Sequence, residues 1–497
     1  MRRRQVLKAA AAGAALPAFG RSVSAQAADE SYTPLGTLDL ARAKEVVVSA
    51  DGETAFLALT DGFATVDVSD PANPAVLTEK RGLLGDVDGG PLRNIYDVKV
   101  DGDTLLVAGP ANPTAEENIN AFILYDVSDP ANPSRRAVHE TDFFHHNVFV
   151  EGEYAYFGDN EHAQDEENRR NELVFFDISG EPEEVGRWSV VDAEEGWADV
   201  GVGVWTLHDL YVQDSIAYLV FWDAGTWMVD VSDPANPESL GSVRSPDPEE
   251  LSQLTNDQLN QMIFEPPGND HYVTVNDDAT VMGVGGESWD VDTSDDSGGP
   301  SGIELFDISD MANPEPLAML EPPEVDDASF QGTWTTSHNF DIVGDRLYSS
   351  WYQGGVKIHD ISDPANPEEL AWWREPTQTS FWTAQLAVPG EFFVATSHEN
   401  PAVSNGASGA ALYTFPDRAG EQENPPSLTG TPTQTATTAP TQTTSTQTTT
   451  AAPTTTATST PEPTTTETTG PGFGVPAAVA GVGLGAWRYL HRERNED

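Results

Sequence analysis

The stretch Phe306-Asp307-Ile308-Ser309-Asp310-Met311-Ala312-Asn313-Pro314 occurs, with small changes, several times along this chain of 497 residues. Its apolar beginning predicts the end of a β-strand, and the side chains of Asp307 and Ser309 are suited to hydrogen-bonding the backbone close to them. The Asn-Pro ending favours an extended exit from the turn. Each copy therefore predicts a strand, a tight turn and a new strand.

The copies define a long repeat. The aspartate that corresponds to Asp307 recurs at Asp67, Asp126, Asp177, Asp230 and Asp360. The copy at Asp177 is degenerate, and residues 411–415 form an altered seventh strand. One unit is about 53 residues long, apart from insertions, and each unit is expected to contain four strands, here called a to d.

Seven four-stranded units predict an all-β fold, a seven-bladed β-propeller over residues 33–416. Residues 34–40 resemble a d strand that has no a, b or c strand before it, whereas the last unit has no convincing d strand. We therefore expect the N-terminal strand to complete the last blade and close the ring. An open solenoid is the alternative, and the complementary ends argue against it.

The repeated Asp-Ile/Val-Ser-Asp-Pro-x-Asn-Pro phrase resembles the LVIVD repeat family, which comprises surface proteins with propeller-type repeats. The resemblance covers residues 33–416, with departures at Gly180-Glu181 and in the seventh unit. It implies an architecture and a surface location. It implies no activity, because a fold does not determine a function.

The charge of the chain is strongly one-sided, with 81 acidic and 24 basic residues and a net charge of −57. Molar salt screens such repulsion, since the Debye length falls to about 3 Å at 1 M, so we interpret the acidity as adaptation to a halophilic environment. No basic face is available for nucleic acid. The absence of cysteine excludes disulfides, thiolate catalysis and cysteine-bound metals.

The N-terminus predicts export. Arg3-Arg4 precede an apolar run, and Ala25-Gln26-Ala27 fits a small-x-small cleavage site. Residues 1–27 therefore resemble a twin-arginine (Tat) signal peptide that is cleaved after Ala27.

The C-terminus predicts a tether. Residues 417–470 are Thr-rich and indicate a disordered, O-glycosylated stalk. Residues 471–497, with Pro471-Gly472-Phe473, a short apolar run and arginines, resemble the PGF-CTERM sorting tail of halophilic archaea. That resemblance implies removal of the tail and a lipid anchor, and a retained transmembrane helix is the alternative. Either outcome predicts a location on the extracellular face of the cell membrane.

The insertions share one face. In a propeller the a–b and c–d turns lie on one face and the b–c and d–a connections on the other. The repeated phrase forms the c–d turns, whereas blades 2, 3, 5 and 7 have long b–c connections. Two N-capping patterns, at Asp247 and Thr255, predict two short helices between blades 4 and 5. Any site is expected on this long-loop face.

One set of histidines falls in register on four consecutive blades. Counting back from each a–b turn places His146, His208, His271 and His338 near the start of strand a, and Val46, Tyr96 and Ala384 in the other three blades. These starts surround the mouth of the central channel, where converging imidazoles are suited to a divalent metal ion. The alternative is a structural role, in which each of these histidines makes a hydrogen bond to a carbonyl group of a neighbouring loop.

Further ligand candidates lie on the same face. They are Glu161, His162, Asp223, Glu287, His398, Glu399 and Trp351. The sequence contains no Ser/His/Asp order, no phosphate-binding glycine loop and no nucleotide fingerprint.

These observations favour a monomeric, surface-anchored β-propeller that acts as a binding or interaction module. Its partners besides the membrane are expected to be a glycan, an envelope protein or a small ligand. The alternative is a metal-dependent hydrolase, lyase or oxidoreductase with a histidine site at the channel mouth.

Overall fold

A computed structural model describes residues 31–114, 118–161, 170–291, 298–399 and 409–429. Several predictions fall outside these ranges: the signal peptide with Ala27, the ligand candidate His162, the stalk beyond residue 429 and the sorting motif Pro471, Gly472 and Phe473. Within them, no helix is long and apolar enough to cross a membrane.

Seven separate antiparallel sheets form the blades, which confirms the predicted seven-bladed β-propeller. The strands of blade 1 are Ala43–Val48, Thr54–Leu59, Gly62–Asp67 and Ala75–Arg81. Those of blade 2 are Val98–Asp101, Thr104–Gly109, Ala121–Asp126 and Ser134–Glu140. Those of blade 3 are Val148–Glu151, Tyr154–Asp159, Glu172–Asp177 and Glu183–Trp188. Those of blade 4 are Asp209–Gln213, Ile216–Val220, Thr226–Asp230 and Glu238–Val243.

The remaining blades repeat the pattern. The strands of blade 5 are Asp270–Val275, Val281–Gly286, Ile303–Asp307 and Glu315–Leu320. Those of blade 6 are Phe340–Val343, Arg346–Ser350, Val356–Asp360 and Glu368–Trp373. Blade 7 contributes Phe381–Val388, Phe392–Ser397 and Ala411–Pro416. Apolar side chains fill the spaces between neighbouring blades, so the core is divided among the blade interfaces.

The N-terminal strand closes the ring as predicted. Gly36–Asp39 pairs antiparallel with Ala411–Pro416 and supplies the d strand of blade 7. The described chain then continues past the last blade, where Gly420–Glu421 adds a short parallel strand to the outer edge of blade 6. The Tyr32 amide nitrogen donates to the Glu421 carbonyl oxygen over 2.8 Å, which joins the two ends.

The repeated phrase forms the c–d turns, and its polar side chains organise the turn itself. In blade 1 the Asp67 carboxylate accepts from the Ser69 amide at 3.0 Å and from the Ser69 hydroxyl at 2.6 Å. The Asp70 carboxylate accepts from the Asn73 side chain at 3.0 Å. Hydrogen bonds from Ser69 lower the pKa of Asp67. Because the corresponding bonds recur in blades 2, 5 and 6, the acids of the phrase have a structural role.

The same turns also join neighbouring blades. The Thr65 hydroxyl of blade 1 donates to the Pro130 carbonyl in the phrase of blade 2 at 2.6 Å. On blade 3, Gly186 lies so close to the Pro234 carbonyl of the next phrase that an added Cβ would be 1.8 Å from that oxygen. The phrases of blades 2 and 4 therefore contact strands of the blade that precedes each of them.

Helices occur in the d–a connections on the long-loop face. The two predicted helices are Pro248–Leu251, capped by the Asp247 carboxylate, and Asn256–Phe264, which begins with a full capping box at Thr255. Sequence reasoning missed the corresponding connection between blades 3 and 4. It contains the helix Val190–Ala193 and the 3₁₀ turns Glu195–Asp199 and Val202–Val204.

Candidate functional site

A ring of seven side chains, one from each blade, surrounds the channel mouth on the long-loop face. Its members are Lys44, Tyr96, His146, His208, His271, His338 and Trp382. Successive ring centroids are 6.5 Å apart from Tyr96 to His146, then 4.4, 3.9 and 4.8 Å along the histidines, and 4.1 Å from His338 to Trp382. The Lys44 ammonium completes the circle between Trp382 and Tyr96. The structure thus places the four predicted histidines in one ring, but of these only His271 and His338 belong to the group of described residues that is compact enough to hold a metal ion.

Two positions of the predicted register were wrong. Val46 and Ala384 are buried in the cores between blades, and Lys44 and Trp382 take the ring positions. The residues observed in the ring lie two positions before the counted ones. Blade 7 shifts register twice, between Phe381 and Thr383 and between Leu386 and Val388. Blade 1 shifts once, between Ala43 and Val46, and its a–b turn, residues 49–53, is longer than that of blade 3, residues 152–153. Such a bulge adds a residue to one strand, so counting from the turn gives the wrong residue.

Backbone carbonyl groups fix three of the four imidazoles. Nδ1 of His146 lies 2.7 Å from the Ala111 oxygen, that of His208 lies 2.9 Å from the His271 oxygen, and that of His338 lies 2.6 Å from the Trp382 oxygen. A carbonyl oxygen can only accept, so each Nδ1 carries the proton and donates it. The Nε2 atom of each neutral ring is therefore left with its lone pair.

Burial keeps these rings neutral. It lowers the pKa of His146 to about 4, and together with the neighbouring imidazoles it lowers the pKa values of His208, His271 and His338 well below 6.5. Desolvation disfavours the charged form, and a second imidazolium nearby would add repulsion. The neutral form is the one that binds metal ions.

Glu287 brings a carboxylate to the histidines. It directly follows strand b of blade 5, and its Oε2 lies 3.2 Å from Nδ1 of His271. The Tyr352 hydroxyl donates to the other oxygen, Oε1. The side chain is 1% exposed, and burial raises the pKa of Glu287 to about 8. The sequence proposed Glu287 as a ligand candidate, and the structure brings it to the ring.

Four buried atoms of this cluster have no hydrogen-bond partner among the described residues. They are Nε2 of His208, Nε2 of His338, and the facing pair Nδ1 of His271 and Oε2 of Glu287, which approach to 3.2 Å without the geometry of a hydrogen bond. One ligand atom each from His271, Glu287 and His338 lies within 4.8 Å of the other two. Four ligands at about 2.1 Å from a tetrahedral zinc ion are about 3.4 Å apart, so movements of about 1 Å would complete the coordination.

A second polar layer lies beneath the ring, formed by residues that follow ring members in sequence. The Glu45 carboxylate accepts from Asn339 at 2.7 Å and from Thr383 at 2.6 Å. Lys99 contacts the carboxylates of both Asp97 and Glu45. Because its acids have amide, hydroxyl or ammonium partners, this layer supports the ring from below.

The other predicted ligand residues are dispersed. Asp223 lines a separate cavity of about 560 Å³ between blades 4 and 5, where Arg244 pairs with Asp270. Glu161 and Glu399 are exposed on their loops. These three side chains therefore do not join the metal-ligand cluster.

His398 and Trp351 have different positions. Nδ1 of His398 lies 3.3 Å from the Lys44 ammonium, so His398 borders the ring without belonging to it. Trp351 is fully buried in the core between blades 5 and 6, which corrects its placement on the ligand face. Sequence reasoning missed Lys44, Tyr352 and Trp382 as residues of the ring or its surroundings.

Comparison with protein families gives one match. Residues 42–79 and 208–245 match the LVIVD repeat. These segments cover most of blade 1 and the whole sheet of blade 4, including two copies of the repeated phrase. The LVIVD repeat is a β-propeller repeat, in agreement with the fold. No curated protein matches the chain.

Solved structures with similar folds are β-propellers of distant sequence. They include the β-propeller domain of Cps50 (Swd1) from Myceliophteria thermophila, with 13% identity and a TM-score of 0.49, and U3-55K, with 10% identity and a TM-score of 0.49. The WD40 repeats of RRP9 have 9% identity and a TM-score of 0.50. Each comparison covers 78% of this chain, and 99%, 98% and 97% of the respective structures. At these identities the likeness concerns the fold alone.

Proposed function

We propose that this LVIVD-repeat propeller is a cell-surface binding module whose ligand site is a divalent transition-metal centre at the channel mouth. The observation that carries the proposal is this set of four buried atoms without a hydrogen bond, two of which, Nδ1 of His271 and Oε2 of Glu287, face each other at 3.2 Å. A buried polar group without a partner costs about 1–3 kcal/mol, and one metal ion would satisfy several of these atoms at once.

The donor set indicates the class of metal. Neutral imidazoles with one carboxylate suit zinc and other borderline divalent ions, whereas calcium and magnesium prefer oxygen ligands throughout. The carbonyl groups that hold Nδ1 of His208 and His338 have the role of the outer hydrogen bonds that orient metal-binding histidines. His271, His338 and Glu287 are the proposed primary ligands, with His208 beside them.

Metal titration tests this proposal. The protein is purified in high salt and stripped with a chelator, and Zn²⁺ binding is then measured by calorimetry and elemental analysis. We expect one ion per chain and at least a tenfold loss of affinity in His338→Ala, because that variant removes one ligand atom. His139→Gln is the matched control, since His139 lies on the outer strand of blade 2. Wild-type protein that takes up no stoichiometric metal would contradict the proposal.

The location of the module is part of the proposal. The Tat-type signal, the Thr-rich segment and the PGF-CTERM-like tail together support a propeller exported in folded form and held at the membrane. We expect an antibody against the propeller to label intact cells that express the wild-type chain. Replacement of Arg3 and Arg4 by lysine should abolish labelling, because the Tat machinery reads the arginine pair. Equal labelling of both strains would contradict Tat export.

A metal-dependent enzyme is the second candidate function. The observation in its favour is that His271, His338 and Glu287 supply three ligands, which is the number that leaves a coordination position open in catalytic zinc sites. Zinc-loaded and stripped protein can be compared on activated carboxylic and phosphoric esters. Metal-dependent turnover that is lost in His338→Ala would support a hydrolase, and equal background rates would count against hydrolysis of these esters.

A further inference from the structure

One position of the ring is occupied by a cation. Lys44 is the blade 1 member, and its ammonium lies 3.9 Å from the Trp382 ring centroid and 4.9 Å from that of Tyr96. The residue is 9% exposed. Its ammonium lies 3.3 Å from Nδ1 of His398, whose Nε2 is 3.0 Å from the Ser380 hydroxyl. Lys44 thus donates to a neutral imidazole, which supplies no negative charge to pair with the ammonium.

The other buried lysines of the described chain have carboxylate partners. Lys99 contacts Asp97 and lies 3.8 Å from a Glu45 oxygen, and Lys357 lies 3.1 Å from a Glu369 oxygen. No carboxylate oxygen of the described residues lies within 4 Å of the Lys44 ammonium. Burial lowers the pKa of Lys44 to about 7, and Glu399 and Glu287, which act from a greater distance, offset this only in part. The chain has 81 acidic residues, and Lys44 differs from Lys99 and Lys357 because none of these acids pairs with it among the described residues.

Lys44 is close to the proposed metal ligands. The Trp382 ring contacts both the Lys44 ammonium and the His338 imidazole, with centroid distances of 3.9 and 4.1 Å. Tyr352, which donates to Glu287, packs edge-on against His338 at 4.8 Å. The Lys44 ammonium and the His338 imidazole therefore contact the same indole ring, within an aromatic surround.

We propose that Lys44 and the metal centre together bind the carboxylate group of a small organic acid. The inference rests on the proposed metal site. One carboxylate oxygen would take the open metal position, and the other would accept a hydrogen bond from Lys44. The bound anion would then be the carboxylate partner that Lys44 does not have among the described residues. Tyr96 and Trp382 would contact the apolar part of the acid, a feature that inorganic phosphate and chloride do not share.

Three probes separate the parts of this proposal on the wild-type protein. Benzoate, benzamide and inorganic phosphate are titrated into zinc-loaded protein in molar salt. We expect benzoate to bind at least tenfold more tightly than benzamide, which has the same shape and no charge, and more tightly than phosphate. Benzamide that binds as well as benzoate overturns the role of charge, and phosphate that binds as well as benzoate overturns the organic acid.

Variants of Lys44 test its own contribution. Lys44→Gln should weaken benzoate binding at least tenfold and leave zinc affinity at the wild-type value or above it, because it removes a nearby positive charge. Lys44→Arg should restore most of the benzoate affinity. Unchanged benzoate binding in folded Lys44→Gln overturns the proposal.

The two proposals fail in different ways. If the wild-type chain takes up no zinc, the proposed metal site is contradicted. Benzoate titration of metal-free wild type and Lys44→Gln then shows whether Lys44 contributes to carboxylate binding by itself. If zinc binds and benzoate does not, only the Lys44 inference fails.

Discussion

At the scale of single residues, the ring histidines use their two nitrogens for different purposes. Nδ1 of His208 and His338 donates to the carbonyl oxygen of the ring residue in the next blade, and Nδ1 of His146 donates to the Ala111 carbonyl oxygen in the b–c connection of the blade before it. That bond sets the tautomer and leaves Nε2 available. The structural and metal-binding interpretations of these histidines are thus compatible, because each concerns a different atom.

A histidine outside the ring gives a pH prediction. His359 lies on strand c of blade 6, where the other copies of the repeat have Val66, Tyr125, Phe176, Val229 and Phe306. Burial lowers the pKa of His359 to about 3. The unfolded chain takes up a proton near pH 6.5 and the folded chain only near pH 3, so this group's contribution to stability is lost as pH falls through that window.

We therefore expect His359→Phe to lessen the acid sensitivity of the fold. Between pH 8 and pH 5 the wild-type residue should reduce the free energy of unfolding by about 2 kcal/mol relative to the variant. Chemical denaturation of both proteins in constant high salt at several pH values measures this difference. If the free energy of unfolding depends on pH in the same way in both proteins, the low pKa of His359 is contradicted.

At the scale of strands and turns, the bulges in strand a decide which residues reach the channel. Register shifts in blades 1 and 7 bring Lys44 and Trp382 into the ring. In blade 1 the longer a–b turn adds to the single shift, because Lys44 lies two residues before the counted Val46. The ring therefore contains the amine of Lys44 and the indole of Trp382 at the positions where counting gives Val46 and Ala384.

The contact between a phrase and the preceding outer strand gives a second prediction. Gly186→Ala should destabilise the protein by about 1–3 kcal/mol, because the new methyl group would overlap the Pro234 carbonyl in the next blade. Gly180→Ala is the matched control from the same blade, since nothing lies within 4 Å of an added Cβ there. Denaturant unfolding in high salt compares the two variants, and equal midpoints would show that the interblade contact is unimportant.

At the scale of the whole molecule, ring closure depends on residues far apart in sequence. Leu38 pairs with Leu412 and is partly buried against the core between blades 7 and 1, whereas Leu35 is 40% exposed. We expect Leu38→Asp to lower the free energy of unfolding by about 1–3 kcal/mol, because the variant places a charge in a partly buried position on the closing strand. Leu35→Asp should have little effect. Similar stabilities for the two variants would argue against closure by this strand.

The net charge makes a prediction for the molecule as a whole. A chain with a charge of −57 should unfold when the salt concentration falls below about 0.5 M, because its carboxylates then repel one another with less screening. Circular dichroism during dilution measures the transition, and sucrose at equal osmolality is the control for non-ionic stabilisation. Native spectra retained in dilute buffer would contradict the halophilic interpretation.

Much of the architecture follows from local rules. The phrase around Asp307 specifies a turn through its own side chains, so repetition gave the number of blades, and the unmatched strand at residues 34–40 gave the closure. Capping residues Asp247 and Thr255 likewise predicted two helices. The helix Val190–Ala193 was missed, although Ser189 and Asp192 form a capping box around it.

The sequence by itself determined the repeat, the long-loop face and four of the seven ring residues as histidines, because turn chemistry and register are local and periodic. Only the tertiary structure decided that Lys44 and Trp382 complete the ring, that Glu287 approaches His271 and that Trp351 belongs to the core. Bulges, loop paths and burial depend on contacts between blades, so no counting along one strand can predict them.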